Sequence, residues 1–129
     1  MRALLTGSQT EAGQALSPAL LRQGFTVRCL SGDLFDRVSV RRQMGYVDEV
    51  VHADFIDGMA SLPFRSLVEH NLQGSIIVAA AAEDMGLPFY FCLPTAAYGK
   101  HKRSLDMTKD ILIHEYCGVE ITDPRDGIP

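Results

Sequence analysis

Apolar and polar residues follow one another along the chain in a pattern that predicts strands and helices in turn. Residues 3–6 (ALLT) predict a short apolar strand, and residues 7–10 (GSQT) predict a turn. A helix is predicted from about residue 11 to residue 23, because apolar side chains recur there at helical spacing, and Gly24 ends it. Residues 25–30 (FTVRCL) predict a second strand. Together these elements form a βαβ unit, which builds parallel sheets.

The rest of the chain continues this alternation. Residues 34–44 predict either a short helix or an exposed loop, and residues 47–56 contain a third strand. The later elements are a long helix, a strand, a helix and a strand, at residues 66–85, 88–93, 105–117 and 119–122. Such an order predicts a Rossmann-like α/β fold, with a doubly wound, mostly parallel sheet of about five strands and helices on both faces. Pro18 is expected to bend the first helix.

Composition narrows the classes of protein that this pattern can represent. The chain has 129 residues, of which 47% are hydrophobic and 22% charged, as expected for one globular domain spanning residues 1–129. A net charge of -4 disfavours nucleic-acid binding, and the longest apolar run, residues 76–82, is too short to cross a membrane. Three scattered cysteines and no secretory leader predict a cytoplasmic protein without a metal site. The basic residues 100–103 (KHKR) predict an exposed loop.

The turn after the first strand is a candidate nucleotide-binding site. In residues 6–13 (TGSQTEAG), Gly7 and Gly13 occupy the outer positions of a pattern that brings a helix N-terminus close to a pyrophosphate. Thr10 occupies the middle position, where glycine is usual, and we expect its side chain to weaken or alter phosphate binding. The alternative is an ordinary turn between strand and helix that binds no ligand.

The end of the second strand bears on the choice of nucleotide. Dinucleotide-binding domains commonly carry an acid there that binds the adenosine ribose. Ser31 stands at that position, with Arg28 and Arg37 nearby, and such a set would tolerate a 2′-phosphate better than an acid would. The alternative is that these three residues are solvated loop residues.

Five short motifs occur along the chain in a fixed order. They are TGSQTEAG at residues 6–13, DEVVHA at 48–53, NLQGS at 71–75, FYF followed by AAYG within 89–99, and ITDPR at 121–125. In this order they resemble the motifs of the extended short-chain dehydrogenase/reductase family, the NAD-dependent epimerases and dehydratases of nucleotide sugars. The resemblance implies an NAD or NADP site. We expect it to involve Thr6, Gly7, Thr10, Gly13, Ser31, His52, Ala53, Asn71 and Lys109.

The sequence departs from the family at the catalytic positions. The family's proton-transferring tyrosine lies four residues before its lysine, and Leu105 holds that position before Lys109. The hydroxyl that orients the substrate falls at Pro94, with Thr95 next to it, and Tyr98 belongs to a neighbouring motif. Lys109, Thr95 and Tyr98 are therefore the candidate catalytic residues. We expect weak or no oxidoreductase turnover, and the sequence leaves open whether the chain is an enzyme.

The resemblance also implies a shortened domain and an assembly. Only residues 50–57 are available for the family's third and fourth strands, and we assign His52 to the fourth. One βα unit and the C-terminal substrate domain are therefore expected to be absent. In the family, the helices corresponding to residues 66–85 and 105–117 pair in a dimer, which predicts a homo-oligomer. Two alternatives remain: a non-catalytic assembly subunit without ligand, and an active enzyme whose acid is Tyr98 or Thr95.

Overall fold

A five-stranded parallel sheet forms the centre of the protein in a computed structural model, which describes residues 1–56, 62–94, 99–116 and 118–123. The strands are β1 Arg2–Thr6, β2 Thr26–Cys29, β3 Glu49–His52, β4 Phe89–Cys92 and β5 Val119–Thr122. The helices are α1 Glu11–Arg22, α2 Arg37–Met44, α3 Phe64–Val68, α4 Gly74–Asp84 and α5 Gly99–Glu115. A π-helical turn, Glu69–Gln73, joins α3 to α4. The predicted Rossmann-like α/β fold is confirmed.

The order of the strands locates the position where such a sheet binds ligands. All neighbouring strands are parallel, in the order β2-β1-β3-β4-β5. Because β2 and β3 lie on opposite sides of β1, the chain changes direction along the sheet at β1. Ligands of doubly wound sheets bind outside the carboxyl ends of the strands at this reversal. The observed order 2-1-3-4-5 is one of the common orders of doubly wound sheets, so the assignment of His52 to the family's fourth strand stays a prediction.

The two faces of the sheet are covered to different extents by helices. Helices α2, α4 and α5 cover one face, and its core includes the fully buried residues Leu4, Val50, Phe91, Val78, Leu105 and Leu112. On the other face, among the described residues, only α1 packs against the strands. That smaller core consists of Leu5, Val51 and Ala53, with partly buried side chains from α1 such as Leu16 and Leu20.

The structure corrects one helix prediction and decides between the two alternatives for another segment. Helix α5 begins at Gly99, so the exposed basic loop predicted for residues 100–103 is wrong: these residues form its first turn. The apolar pattern did not reveal this turn because polar residues, His101 and Ser104, fill its buried side. Residues 37–44 form a helix, which decides between the two alternatives for that segment. Helix α1 continues without interruption through Pro18.

Candidate functional site

The turn between β1 and α1 is held together by two glycines. Gly7 has a φ of +69°, and a Cβ atom there would lie 2.6 Å from the Cα atom of Asp54, which follows β3. A Cβ atom at Gly13 would lie 1.9 Å from the carbonyl oxygen of Gly7. Both contacts involve backbone, which cannot move aside as a flexible side chain can. The glycines therefore let the first turn of α1, the end of β1 and the segment after β3 meet in backbone contact.

Thr10 takes a specific part in this turn. Its φ of -73° is an ordinary value, so the middle position of the motif does not require glycine here. The Thr10 hydroxyl accepts a hydrogen bond from the N–H group of Gly13 at 3.1 Å, which caps the N-terminus of α1. It also lies within donating distance of two carbonyl oxygens, those of Gly7 at 2.6 Å and Ala53 at 3.1 Å. Thr10 thus ties α1 to the end of β3, and its effect on phosphate binding stays a prediction.

Behind the turn, a buried chain of hydrogen bonds crosses from β1 through β3 to α4. The N–H group of Ala53 donates to the Thr6 hydroxyl at 3.1 Å, and that hydroxyl lies 2.6 Å from Nδ1 of His52. On the other side of the imidazole, Nε2 lies 2.9 Å from the Ser75 hydroxyl, which donates to the carbonyl oxygen of Asn71. Since the proton of Ser75 is used there, Ser75 must accept from Nε2, and Thr6 must then donate to Nδ1. The contacts define a neutral His52 protonated at Nε2.

The surroundings of His52 favour the same neutral form. The residue is fully buried, and this burial lowers its pKa to about 4, against a smaller opposing effect of the Asp54 carboxylate. Three aromatic rings surround the imidazole, with centroid distances of 5.3 Å to Phe55, 5.8 Å to Phe89 and 6.0 Å to Phe91. Both ring nitrogens are engaged within the protein. His52 therefore supports the site from behind, and its position gives it no free nitrogen for a ligand.

Asn71 connects the segment after β3 to helix α5. It lies in the π-helical turn, is fully buried, and its Oδ1 atom accepts from the N–H group of Ile56 at 3.0 Å. Its Nδ2 atom donates to the Ser104 hydroxyl at 3.0 Å, which in turn donates to the carbonyl oxygen of His101 at 2.9 Å. Single π-helical turns often occur at functional sites. Here the amide bridges two segments at the carboxyl edge of the sheet.

A hydrogen-bonded pair of a carboxylate and a histidine, which no sequence motif indicated, lies beside this bridge. Oδ1 of Asp54 is 3.1 Å from Nε2 of His70, and both side chains are partly exposed. Burial by itself raises the pKa of Asp54, but the hydrogen bond from His70 and the nearby charge outweigh it and leave that pKa below its usual value. The two residues are 16 positions apart, and no motif links them. The pair adds titratable groups at the end of β3, next to the Gly7 contact.

The end of β2 carries a polar but uncharged group. Ser31 is exposed, and the side-chain amide of Gln43 on α2 binds its backbone on both sides, at 3.0 Å to the N–H and 2.9 Å to the carbonyl. The guanidinium group of Arg28 lies over the ring of Tyr46, 5.2 Å from its centre. The carboxylate of Asp33 accepts from a backbone N–H two residues later. Ser31 is therefore exposed near the end of β2, with the exposed Asp33 two residues later.

Among the described residues, the predicted catalytic positions offer few side chains that can exchange a proton. Leu105 is fully buried in the core, and its hydrocarbon side chain cannot exchange a proton. The ammonium group of Lys109 lies 3.0 Å from Oδ2 of Asp123, whose side chain is almost completely buried. Pro94 follows β4 and has no hydroxyl. The candidates Thr95 and Tyr98 lie outside the described residues.

The predicted site residues thus fall into one connected group and two separate positions. Hydrogen bonds and backbone contacts join Thr6, Gly7, Thr10, Gly13, His52, Ala53 and Asn71 at the carboxyl ends of β1 and β3. Ser31 contacts α2, and Lys109 contacts the end of β5. Within the part of the chain that the structure describes, no three potential ligands gather as a metal site would require. No helix in that part is long and apolar enough to span a bilayer.

Solved structures share this arrangement of strands and helices. A short-chain dehydrogenase/reductase superfamily protein from Agrobacterium tumefaciens, with bound NAD, matches with a TM-score of 0.76 at 20% identity over 94% of this chain and 48% of its own. The dTDP-4-dehydrorhamnose reductase from Bacillus anthracis, in complex with NADP, gives 0.77 at 13% identity over 93% and 52%. The UDP-glucose-4-epimerase from Stenotrophomonas maltophila, with bound NAD and formylated UDP-arabinopyranose, gives 0.74 at 18% identity over 88% and 48%.

The similarity between this chain and these solved structures is a similarity of fold. The chain spans about half the length of these solved structures, as the 48% and 52% coverages indicate. No protein-family model matches the sequence, and no curated protein sequence is significantly similar to it. The comparisons therefore confirm the Rossmann-like fold that the motifs implied.

Proposed function

We propose that this chain binds NAD or NADP at the turn between β1 and α1, in a protein of the epimerase/dehydratase type. The observation that carries this proposal is the backbone contact made by Gly7 and Gly13 at the reversal point of the sheet. This is where doubly wound sheets bind dinucleotides. Solved structures of the same fold hold NAD and NADP, which supports the choice of ligand.

The residues of the site suggest how each part of the cofactor would be held. The N-terminus of α1 offers backbone N–H groups and a partial positive charge to the pyrophosphate. Glu11 in the first turn opposes that charge, and Thr10 keeps its hydroxyl bonded to the protein, so we propose weak binding. Ser31 would meet the adenosine ribose without repelling a 2′-phosphate. Asn71 would act by fixing the segment after β3.

We further propose that oxidoreductase turnover is weak or absent. General acid–base catalysis requires a group that exchanges protons, and Leu105 cannot do so. Lys109 already neutralises Asp123, so its role at the cofactor stays a prediction, as do the catalytic roles of Thr95 and Tyr98. A βα unit missing between β2 and β3, relative to the family, is part of the same proposal. An exposed free thiol at Cys29 supports a reducing cytoplasm as its location.

Isothermal titration with NAD and NADP tests the binding proposal. Both cofactors should bind, and the Ser31→Asp variant should lose affinity for NADP by about tenfold while retaining NAD, because an acid accepts from the ribose hydroxyl and repels a 2′-phosphate. Gln23→Glu adds one negative charge at the far end of α1 and serves as the matched control. Absence of binding at about millimolar cofactor would overturn the proposal.

A second candidate function, assembly through α4 and α5, has its own supporting observation. A groove of about 410 Å³ lies between these helices, and Ile76, Ala80 and Ile111 form its apolar wall. Ile113 on α5 is 54% exposed, so this helix is apolar on more than one side. We propose that copies of the chain associate here. Because Glu83 and Glu115 also line the groove, association should strengthen as salt screens their repulsion.

Light scattering at low and high salt tests the assembly proposal. A concentration-dependent dimer that grows with salt and is abolished by Ile111→Lys would support it. Val38→Lys makes the same kind of change at an exposed apolar residue on α2, away from the groove, and serves as the control. A monomer at every salt and protein concentration would refute the assembly proposal and leave the cofactor proposal untouched.

A further inference from the structure

The crevice at the carboxyl edge of the sheet has two walls, because the chain leaves β1 and β3 toward opposite faces. The segment after β1 leads to α1 on one face, and the segment after β3 leads to α4 on the other. The two segments touch where the Cα atom of Asp54 lies 2.6 Å from the position that a Cβ atom at Gly7 would take. A ligand in the crevice therefore meets the segment after β3 as well as the glycine turn.

The second wall carries a carboxylate and an imidazole. Asp54 follows β3, and His70 lies in the π-helical turn before α4, with 3.1 Å between Oδ1 and Nε2. The ring of Phe35, from the segment after β2, lies on another side of the imidazole at a centroid distance of 6.5 Å. The side chain of Asp54 is 17% exposed and that of His70 is 28% exposed. Solvent therefore reaches both groups but screens their charges less than it would on an open surface.

The protonation of His70 decides the net charge of this wall. A carboxylate accepts hydrogen bonds only, so the neutral imidazole donates its Nε2–H to Asp54, and a further proton goes to Nδ1. With that proton the pair is neutral overall, and without it the negative charge of Asp54 remains. Negative charge on this wall repels phosphates held at the N-terminus of α1. Since imidazoles change charge close to neutral pH, the charge that the crevice presents to a phosphate depends on pH.

The other ionisable groups around His70 differ from it in their titration. Among the described residues, those on the segments and helices next to it are Glu11, Asp33, Asp36, Arg37, His52, Arg65, Glu69, Glu83, Asp84, Lys100, His101, Lys102, Arg103 and Asp106. Carboxylates, lysines and arginines keep their charge between about pH 6 and pH 8. His52 stays neutral in that range, because burial lowers its pKa to about 4. His101 is the remaining imidazole, and a variant of His70 leaves it in place, which separates the two.

We propose that the pair of Asp54 and His70 couples the binding of the cofactor's phosphates to the uptake of a proton by His70. An anion in the crevice favours the protonated imidazole, and by linkage the protonated imidazole favours the anion. The affinity for NAD should therefore rise as the pH falls. The rise should be steeper for NADP, which carries an additional phosphate. This inference rests on the proposed cofactor site and adds the control of that site by pH.

Titration calorimetry with NAD at about pH 6 and about pH 8 tests the coupling. The wild type should bind NAD about three- to tenfold more tightly at the lower pH. At a pH midway between these two, the measurement is repeated in two buffers that differ in their enthalpy of ionisation. The difference in heat should show that a fraction of about one proton is taken up for each NAD bound.

Two substitutions separate the roles of the imidazole and the carboxylate. His70→Gln keeps a donor for Asp54 and does not titrate, so it should bind NAD equally at both pH values, as weakly as the wild type at the higher pH, without proton uptake. Asp54→Asn removes the negative charge and should bind NAD about three- to tenfold more tightly than the wild type at the higher pH. His114→Gln, at an exposed position near the other end of α5, is the matched control and should keep the wild-type dependence on pH.

Circular dichroism checks that the variants fold, and proton uptake by the wild type decides if one of them does not. Three results would overturn the proposal. The first is equal affinity of the wild type at both pH values without proton uptake. The second is an unchanged pH dependence in His70→Gln, which would assign the titration to another group such as His101. The third is weaker binding by Asp54→Asn at the higher pH, which would make Asp54 a ligand of the cofactor.

The failure of the cofactor site itself has a different signature. If NAD binds to the wild type at neither pH, the cofactor proposal is overturned, and the coupling is overturned with it. If NAD binds with one of the three results above, the coupling alone is overturned and the cofactor site remains.

Discussion

The buried His52 should make the stability of the protein depend on pH in a predictable way. Its pKa is about 4 in the folded protein, against 6.5 for an ordinary imidazole. Below pH 6.5 the unfolded chain therefore takes up a proton at His52 that the folded protein does not accept. The free energy of unfolding should fall as the pH drops from about 7 toward 4, and the contribution of His52 should be constant above that range.

The size of the effect follows from the two pKa values. The difference between 6.5 and about 4 corresponds to about 3 kcal/mol in full, of which about 2 kcal/mol is lost between pH 7.5 and pH 5. Glu49 acts in the opposite direction, since burial raises its pKa and protonation relieves that cost as the pH falls. Asp54, whose pKa is lowered, loses its contribution only below about pH 4. A comparison with a variant is therefore needed to isolate His52.

Urea unfolding at pH 7.5 and pH 5 measures this difference. We compare the wild type with His52→Gln, whose amide can still accept from Thr6 and donate to Ser75 but does not titrate. Between pH 7.5 and pH 5, the free energy of unfolding of the wild type should fall by about 2 kcal/mol more than that of the variant. His114→Gln, at an exposed position on α5, should behave like the wild type. If the free energy of unfolding depends on pH equally in the wild type and in His52→Gln, the claim that His52 is buried in its neutral form is refuted.

Other predictions concern the turn and its supports. Gly13→Ala should lower the free energy of unfolding by about 3 kcal/mol, because its Cβ atom would lie 1.9 Å from a backbone oxygen. Gly24→Ala, which has open space around it, should lower it by only about 1 kcal/mol. Thermal unfolding measures both. Thr10→Ala should lower the free energy of unfolding by about 1 kcal/mol, because the helix cap is lost, and Thr10→Ser should restore most of that stability. An unchanged melting temperature in Thr10→Ala would contradict the role of Thr10 as a cap. Asn71→Ala should speed hydrogen exchange at the Ile56 amide, and an unchanged rate would exclude the bridge.

The order of elements was predictable because burial of strands and helix faces leaves a local signal. Residues 119–122 form the predicted strand, and residues 3–6 lie within β1. The first turn of α5 was not predictable, since its buried residues His101 and Ser104 are polar, and Ser104 is hydrogen-bonded to Asn71, 33 residues earlier in the chain. Periodicity detects apolar stripes and misses buried polar ones.

The site was predictable in its location and not in its internal chemistry. The glycines at 7 and 13 marked the turn, because close backbone approach leaves few alternatives to glycine. The sequence could not show that Thr10 would become a helix cap, or that His52 would join Thr6 to Ser75. These hydrogen bonds connect residues 46 and 23 positions apart, which the sheet register and the packing of α4 against β3 bring together.

The central claim is that NAD or NADP binds at the β1–α1 turn, and amide chemical shifts test it most directly. In a titration of the ¹⁵N-labelled chain with NAD, the amides of Gly7 and Gly13 should shift and saturate. The amides of Gly24 and Gly86, which precede β2 and β4 at the opposite edge of the sheet, should stay in place. No shift at about millimolar NAD and NADP, or shifts confined to Gly24 and Gly86, would contradict the account.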